Sequence, residues 1–319
     1  MQTQNGNENQ QKTPFGGLLG EMTAAKASGV TFSLAAILPA LLSFIFILAI
    51  SALGLTNTEN YDSADWYLYS IYSLPQLSFA LSALFYLRAR KVKISSAIQK
   101  QKCEAKYFLI ALLLQIGLLS LSELNALFLE FLKRFGYEDS EILLPSMDGL
   151  GFFGVLFIVA VLPAVFEEIL FRGVLLDGLK SFSTAGAVLV CGALFSLYHQ
   201  NPAQTAYQFC CGAAFALVAI RSGSVLPTVL AHFFNNALIL ILTKFGVLGF
   251  TLPTLVAILA TSAFCLVVSL TYLIFIDKKP QSKGADTERK IEKKRFFVAA
   301  AVGVAVCALT WFLTLLGGM

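Results

Sequence analysis

Charge is what this sequence has least of. Only 13% of its 319 residues are Asp, Glu, Lys or Arg, against about a quarter in an ordinary globular domain. Histidine occurs just twice, at His199 and His232. With a hydrophobic content of 57% and a mean hydropathy of +0.75, so little charge points to lipid as the solvent. The net charge is +4 and sits in loops, so it bears on topology and anionic lipid and gives no nucleic-acid footprint. There is no C-x-x-C: Cys191, Cys210, Cys211, Cys265 and Cys307 fall in apolar runs and Cys103 in a basic loop. That excludes a secreted disulfide framework and leaves the thiols as small packing groups.

The apolar runs define the fold class: an all-α integral membrane protein, a polytopic helical bundle of about nine transmembrane helices, with the bilayer itself as its first partner. Residues 1–29 lack the compact apolar core of a signal peptide and read as a disordered cytoplasmic tail. Residues 30–148 read as amino-terminal transmembrane helices, 149–245 as a catalytic core and 246–319 as carboxyl-terminal transmembrane helices. Within the core, Thr184–His199 and Gln204–Ile220 form a tight helical hairpin around Gln200-Asn201-Pro202-Ala203. Arg88–Lys106 and Asp277–Arg295 are rich in Lys and Arg, while 55–65 has none. The positive-inside rule then places both basic segments and the amino terminus in the cytoplasm of a cell (plasma) membrane protein.

Within this low-charge chain, Glu167-Glu168-Ile169-Leu170-Phe171-Arg172 puts three charges into one apolar helix. Ionisable groups at membrane depth are costly and mark function. Glu168 and Arg172, four apart, share a helix face and can neutralise each other, whereas Glu167 is turned about 100° away and stays free. Counted from the helix ends expected at the cytoplasm, Glu167, His199 and His232 lie about 20, 22 and 15 Å deep at 1.5 Å per residue. A Glu and two His at one level can bind a metal that activates water, or the Glu can activate water directly as general base. Asn236, one turn after His232, has the amide donors for an oxyanion, with Asn235 as the alternative.

Several protease signatures are missing. No H-E-x-x-H helix is present, no G-x-S-x-G elbow and no Asp pair at membrane depth, which disfavours serine and aspartyl mechanisms. What is present, E-E-x-x-x-R at Glu167–Arg172, F-x-x-x-H at Phe195–His199 and H-x-x-x-N at His232–Asn236, resembles the CAAX-protease and bacteriocin-processing (Abi) family of intramembrane peptidases. The resemblance covers roughly 151–242. It implies Glu167 as the water-activating base, Glu168 and Arg172 as its supporting pair, His199 and His232 as metal ligands or water-orienting groups, and Asn236 as the oxyanion donor. If the metal is zinc, the ligand set would be Glu167, His199 and His232.

The expected function is therefore an intramembrane endopeptidase, of metallo or glutamate type, that cleaves a peptide or membrane-protein substrate approached from the cytoplasmic side. A non-catalytic binding or bacteriocin-immunity protein on the same scaffold is one alternative. An ion-coupled transporter is another, but the two related halves with broken helices that it would be expected to show are not found.

Overall fold

The computed structural model describes residues 22–93, 103–139, 142–247, 249–277 and 286–319. They form nine principal helices: α1 Ala24–Ala52, α2 Asp65–Arg90, α3 Lys106–Lys133, α4 Gly151–Gly178, α5 Thr184–Tyr198, α6 Thr205–Ser222, α7 Leu226–Lys244, α8 Leu252–Ile276 and α9 Asp286–Gly317. No strand occurs among the described residues. The protein is a polytopic helical membrane protein. Eight helical segments are long and apolar enough to cross a bilayer, and the remaining apolar helix, α5, has 15 residues. At 1.5 Å per residue α5 reaches about 22 Å, less than a hydrocarbon core of about 30 Å, and the turn that follows it packs through Ala203 on Leu132 and Tyr137 at the end of α3.

The amino-terminal boundary differs from expectation. Residues 1–21 lie outside the described residues, but α1 already begins at Ala24, capped by Thr23 Oγ1, which accepts from the Lys26 amide at 3.4 Å. The reason is packing: Ala25 and Ala27 are buried, and Ser28 donates to the Val174 carbonyl at 2.7 Å. Small residues also let helices touch backbone to backbone, the main route to association where lipid removes the hydrophobic drive. A Cβ on Gly29 would stand 2.5 Å from the Phe296 carbonyl oxygen, and one on Gly303 2.6 Å from Ser33 Cα. These contacts join α1 to α9. Gly192 and Gly212 do the same for α5 and α6, where a Cβ on Gly212 would meet Gly192 Cα at 2.9 Å.

Side-chain ties define the two ends of the bundle. At the basic end, Arg90 donates to the Met22 carbonyl at 2.7 Å, Tyr86 to Asp177, Arg289 to the Ser181 carbonyl at 3.0 Å and Arg221 to the Leu273 carbonyl at 2.8 Å. At the far end, Tyr69 donates to the Gly151 carbonyl at 3.2 Å, Tyr72 to that of Leu143 at 2.8 Å and Lys244 to that of Met147 at 2.6 Å. The described parts of the basic segments gather at the first end. The 142–151 connection and the start of α2 lie at the second.

Candidate active site

The local structure of α4 is set by Pro163. Proline has no N–H, so the Val159 carbonyl, four residues earlier, loses its helical donor. The turn Leu156–Val161 widens into π-helix there, and Asn236 of α7 supplies the missing bond, its Nδ2 donating to the Val159 carbonyl at 3.1 Å. A second widened turn, Ile169–Leu175, follows the two glutamates. Both lie in the short α-helical stretch Leu162–Glu168 between these turns, a type of irregularity frequent at functional sites.

Glu168 and Arg172 are both fully buried, with Arg172 Nη1 donating to Glu168 Oε1 at 2.7 Å. Nη2 donates to the Gly212 carbonyl at 3.3 Å. The guanidinium carbon lies 4.4, 5.3 and 5.9 Å from the ring centroids of Phe195, Phe215 and Phe171. Rings on several sides offer a desolvated cation the negative faces of their π systems. His232 Nδ1 meets the same Glu168 oxygen at 2.9 Å. Glu168 thus joins α4 to α7 while Arg172 joins α4 to α6.

These contacts fix both imidazoles. Glu168 Oε1 accepts from Arg172 and, with the same oxygen, from His232, which presents Nδ1–H to it, and in the neutral ring Nε2 is left as a lone-pair acceptor. His199 sits one residue past the end of α5, its Nδ1 2.8 Å from the Phe195 carbonyl oxygen. A carbonyl can only accept, so Nδ1 again carries the proton and Nε2 is free. Gln200, next in sequence, takes φ +53°, a left-handed conformation that stops the helix at the histidine. The i,i+4 spacing of Phe195 and His199 is kept as a contact, their ring centroids lying 4.7 Å apart, whereas His232 and Asn236, also four apart, turn to other partners. His199 bonds the backbone of Phe195, and His232 bonds Glu168 while Asn236 bonds Val159.

Glu167, His199, His232, Asn235 and Asn236 line one cavity of about 670 Å³, within the size range of small-ligand sites. Glu167 Oε2 is buried there with no hydrogen-bond partner, and the carboxylate interacts electrostatically with His199. Zinc takes nitrogen and carboxylate donors of these types. However, no three His, Cys, Asp or Glu side chains among the described residues are grouped to hold a metal ion. The expected ligand set of Glu167, His199 and His232 is thus not assembled, and no step below passes through a metal.

Residues 149–238 match the family model of Rce1-like type II CAAX prenyl endopeptidases. The match spans α4 to the middle of α7 and contains all six expected site residues. Over this segment the chain is similar to that family of membrane-embedded proteases. No curated protein and no solved structure matches the chain.

Around the Rce1-like region lie groups that the motifs did not include. Gln115 of α3 donates from Nε2 to Asn235 Oδ1 at 2.7 Å, Tyr207 Oη reaches the same oxygen at 3.4 Å, and Asn235 Nδ2 donates to Asn236 Oδ1 at 3.0 Å. Asn235 orients Asn236 and is itself held from α3 and α6. Asn236 spends one of its two amide hydrogens on Val159 and keeps the other. The available signal was a glutamine inside the apolar run of α3, a polar residue at membrane depth.

The cavity wall continues through Gln76, Gln200, Gln204 and Gln208, and includes Ile142 and Leu144 of the far-end connection and Thr243 near the end of α7. It therefore extends toward the far end of the bundle. An approach from the basic end, as expected from sequence, is not what this lining describes, because the α5–α6 turn at 200–204 becomes part of the wall.

Proposed function

We propose that this protein hydrolyses a peptide bond in the membrane with Glu167 as general base. The observation that carries this reading is the buried, unpartnered Glu167 Oε2 in a cavity shared with two imidazoles whose Nδ1 hydrogens are already committed. Glu167 and the two imidazoles then line one cavity, with Asn236 in the same wall.

The reaction follows from those groups. A water molecule gives one hydrogen bond to Glu167 and another to an imidazole Nε2. Glu167 takes the first proton as the water oxygen bonds to the peptide carbonyl carbon. The carbonyl electrons move onto oxygen, where the second Nδ2 hydrogen of Asn236 stabilises the negative charge. As the tetrahedral intermediate collapses, the C–N bond breaks and protonated Glu167 returns its proton to the leaving amine. Arg172 and Glu168 remain outside the bond changes: Glu168 holds the His232 tautomer, and Arg172 holds Glu168.

Purified protein in a bilayer, given a membrane-anchored reporter peptide, tests this directly. The parent should release two fragments, with one atom of solvent oxygen in the new carboxyl terminus. Glu167→Gln, which keeps volume but cannot take a proton, should fall by at least about 100-fold, the low end of general-base contributions. Parent-rate cleavage by a folded Glu167→Gln protein would remove Glu167 as the base.

A further inference from the structure

Which membrane face supplies the substrate is written in the relation between the cavity and the charged ends. The floor of the cavity is closed toward the basic end. Below Glu167 on α4, Leu170, Phe171, Arg172, Val174, Leu175 and Leu179 are all fully buried, so neither water nor a chain passes along that helix. Toward the far end the wall carries amide side chains among apolar ones such as Ile142 and Leu144. Gln200 and Gln204 belong to the α5–α6 turn, and Gln208 stands one turn further along α6. Gln76 Oε1 and Gln115 Oε1 are buried without partners, and both residues line the cavity. Unspent buried amide oxygens accept hydrogen bonds, and a peptide backbone supplies N–H donors in series.

The charges assign a compartment to each end. Arg88, Arg90, Lys91, Arg289, Lys290 and Lys293 lie on or beside helix ends at the basic end, whereas residues 55–65, between α1 and α2, carry acids and neither Lys nor Arg. Such asymmetry orients the basic end to the cytoplasm. We propose that the catalytic cavity is loaded from the opposite, extracytoplasmic face. Its substrate is then an extended peptide segment of an exported or membrane-anchored chain, held through its backbone by the glutamine wall. This inference rests on the peptidase reading for the word substrate, but the direction of access does not.

Thiol accessibility tests the direction without measuring activity. Native Cys103, beside the first basic segment, reports the basic end, while Gln204→Cys and the exposed Thr243→Cys report the cavity mouth. A membrane-impermeant methanethiosulfonate is added to intact cells and to sealed inside-out vesicles, and labelled positions are read by peptide mass against the parent. The expected result is labelling of Gln204→Cys and Thr243→Cys from outside and of Cys103 only in inverted vesicles. Labelling of mouth and Cys103 on the same face would overturn the access direction. The reverse pattern, mouth inside and Cys103 outside, would overturn the compartment assignment. Thr243→Cys keeps the test decisive if Gln204→Cys does not fold. If labelling is as expected while Glu167→Gln still cleaves at the parent rate, the catalytic reading fails and the access inference stands.

Discussion

The α1–α9 contact and the α4–α7 cluster join membrane helices by opposite means. Between α1 and α9 the backbones meet at Gly29 and Gly303, and the polar tie is a serine, Ser33, donating to the Ala299 carbonyl at 2.8 Å and accepting from the Gly303 amide at 3.0 Å. Between α4, α6 and α7 the ties are Glu168, Arg172 and His232, all buried. Small residues stabilise a helix pair at little cost. A buried ion pair must offset the desolvation of two charges, and an apolar replacement of both is often neutral or better. Here the pair is not even fully satisfied, since Glu168 Oε2 and Arg172 Nε lack partners. Fold stability alone would not select it. Its consequence is positional: it holds His232 through Nδ1 in the wall of the cavity that Glu167 also lines.

Breaking the polar side of the comparison should have the largest effect. Arg172→Met leaves Glu168 as an uncompensated buried charge at a cost of about 3–5 kcal/mol, so folded yield and cleavage should both collapse. Adding Glu168→Gln removes the stranded charge. Yield measured by size-exclusion chromatography should then recover while cleavage does not, and equal recovery of both would mean that the pair serves folding alone.

On the packing side, Gly303→Leu forces α9 away from Ser33, and overpacking of this kind costs about 1–3 kcal/mol. A lower melting midpoint is expected, with cleavage per folded molecule unchanged. Loss of turnover equal to that of the polar variants would erase the distinction between the two regions.

A smaller effect sharpens the polar side. Gln115→Leu removes one hydrogen bond from Asn235, worth about 1 kcal/mol net, and frees Asn236 to reorient. It should lower kcat by about tenfold, the equivalent of about 1.4 kcal/mol, and raise KM, because Gln115 also belongs to the substrate wall, with little change in melting. The smallest effect is expected from Gln200→Gly. It relieves the left-handed conformation that a side-chain-bearing residue adopts at a cost of about 1–2 kcal/mol, so the melting midpoint should rise slightly, while loss of one amide from the substrate wall should raise KM modestly.

What the sequence made legible followed from contrast. Glu167, Glu168, Arg172, His199 and His232 stand out because charge is scarce in apolar helices, and the spans themselves are continuous runs. The Glu168–Arg172 tie is local, four residues on one helix, so helical period suffices to foresee it. The bond from His232 to Glu168 and that from Asn236 to Val159 are not local. They depend on α7 lying against α4 and on Pro163 freeing a carbonyl, neither of which spacing encodes. The direction of the cavity was missed because helical spacing does not show that Gln200 and Gln204 of the α5–α6 turn form part of its wall. The packing glycines are equally silent alone: Gly212 with Ala216 could serve contact within or between chains, and the fold uses Gly212 against Gly192.

The central claim is that adjacent glutamates divide chemistry from positioning, and the most direct measurement sets them side by side. Glu167→Gln and Glu168→Gln, each purified in a bilayer, are compared for folded fraction by thermal melting and for single-turnover cleavage of one membrane-anchored peptide. Glu167→Gln should melt like the parent and cleave at least about 100-fold more slowly. Glu168→Gln should melt lower, because Arg172 loses its counter-charge, and should lose activity together with fold. Parent-like cleavage by Glu167→Gln, or parent-like melting of Glu168→Gln with cleavage lost, would contradict the division.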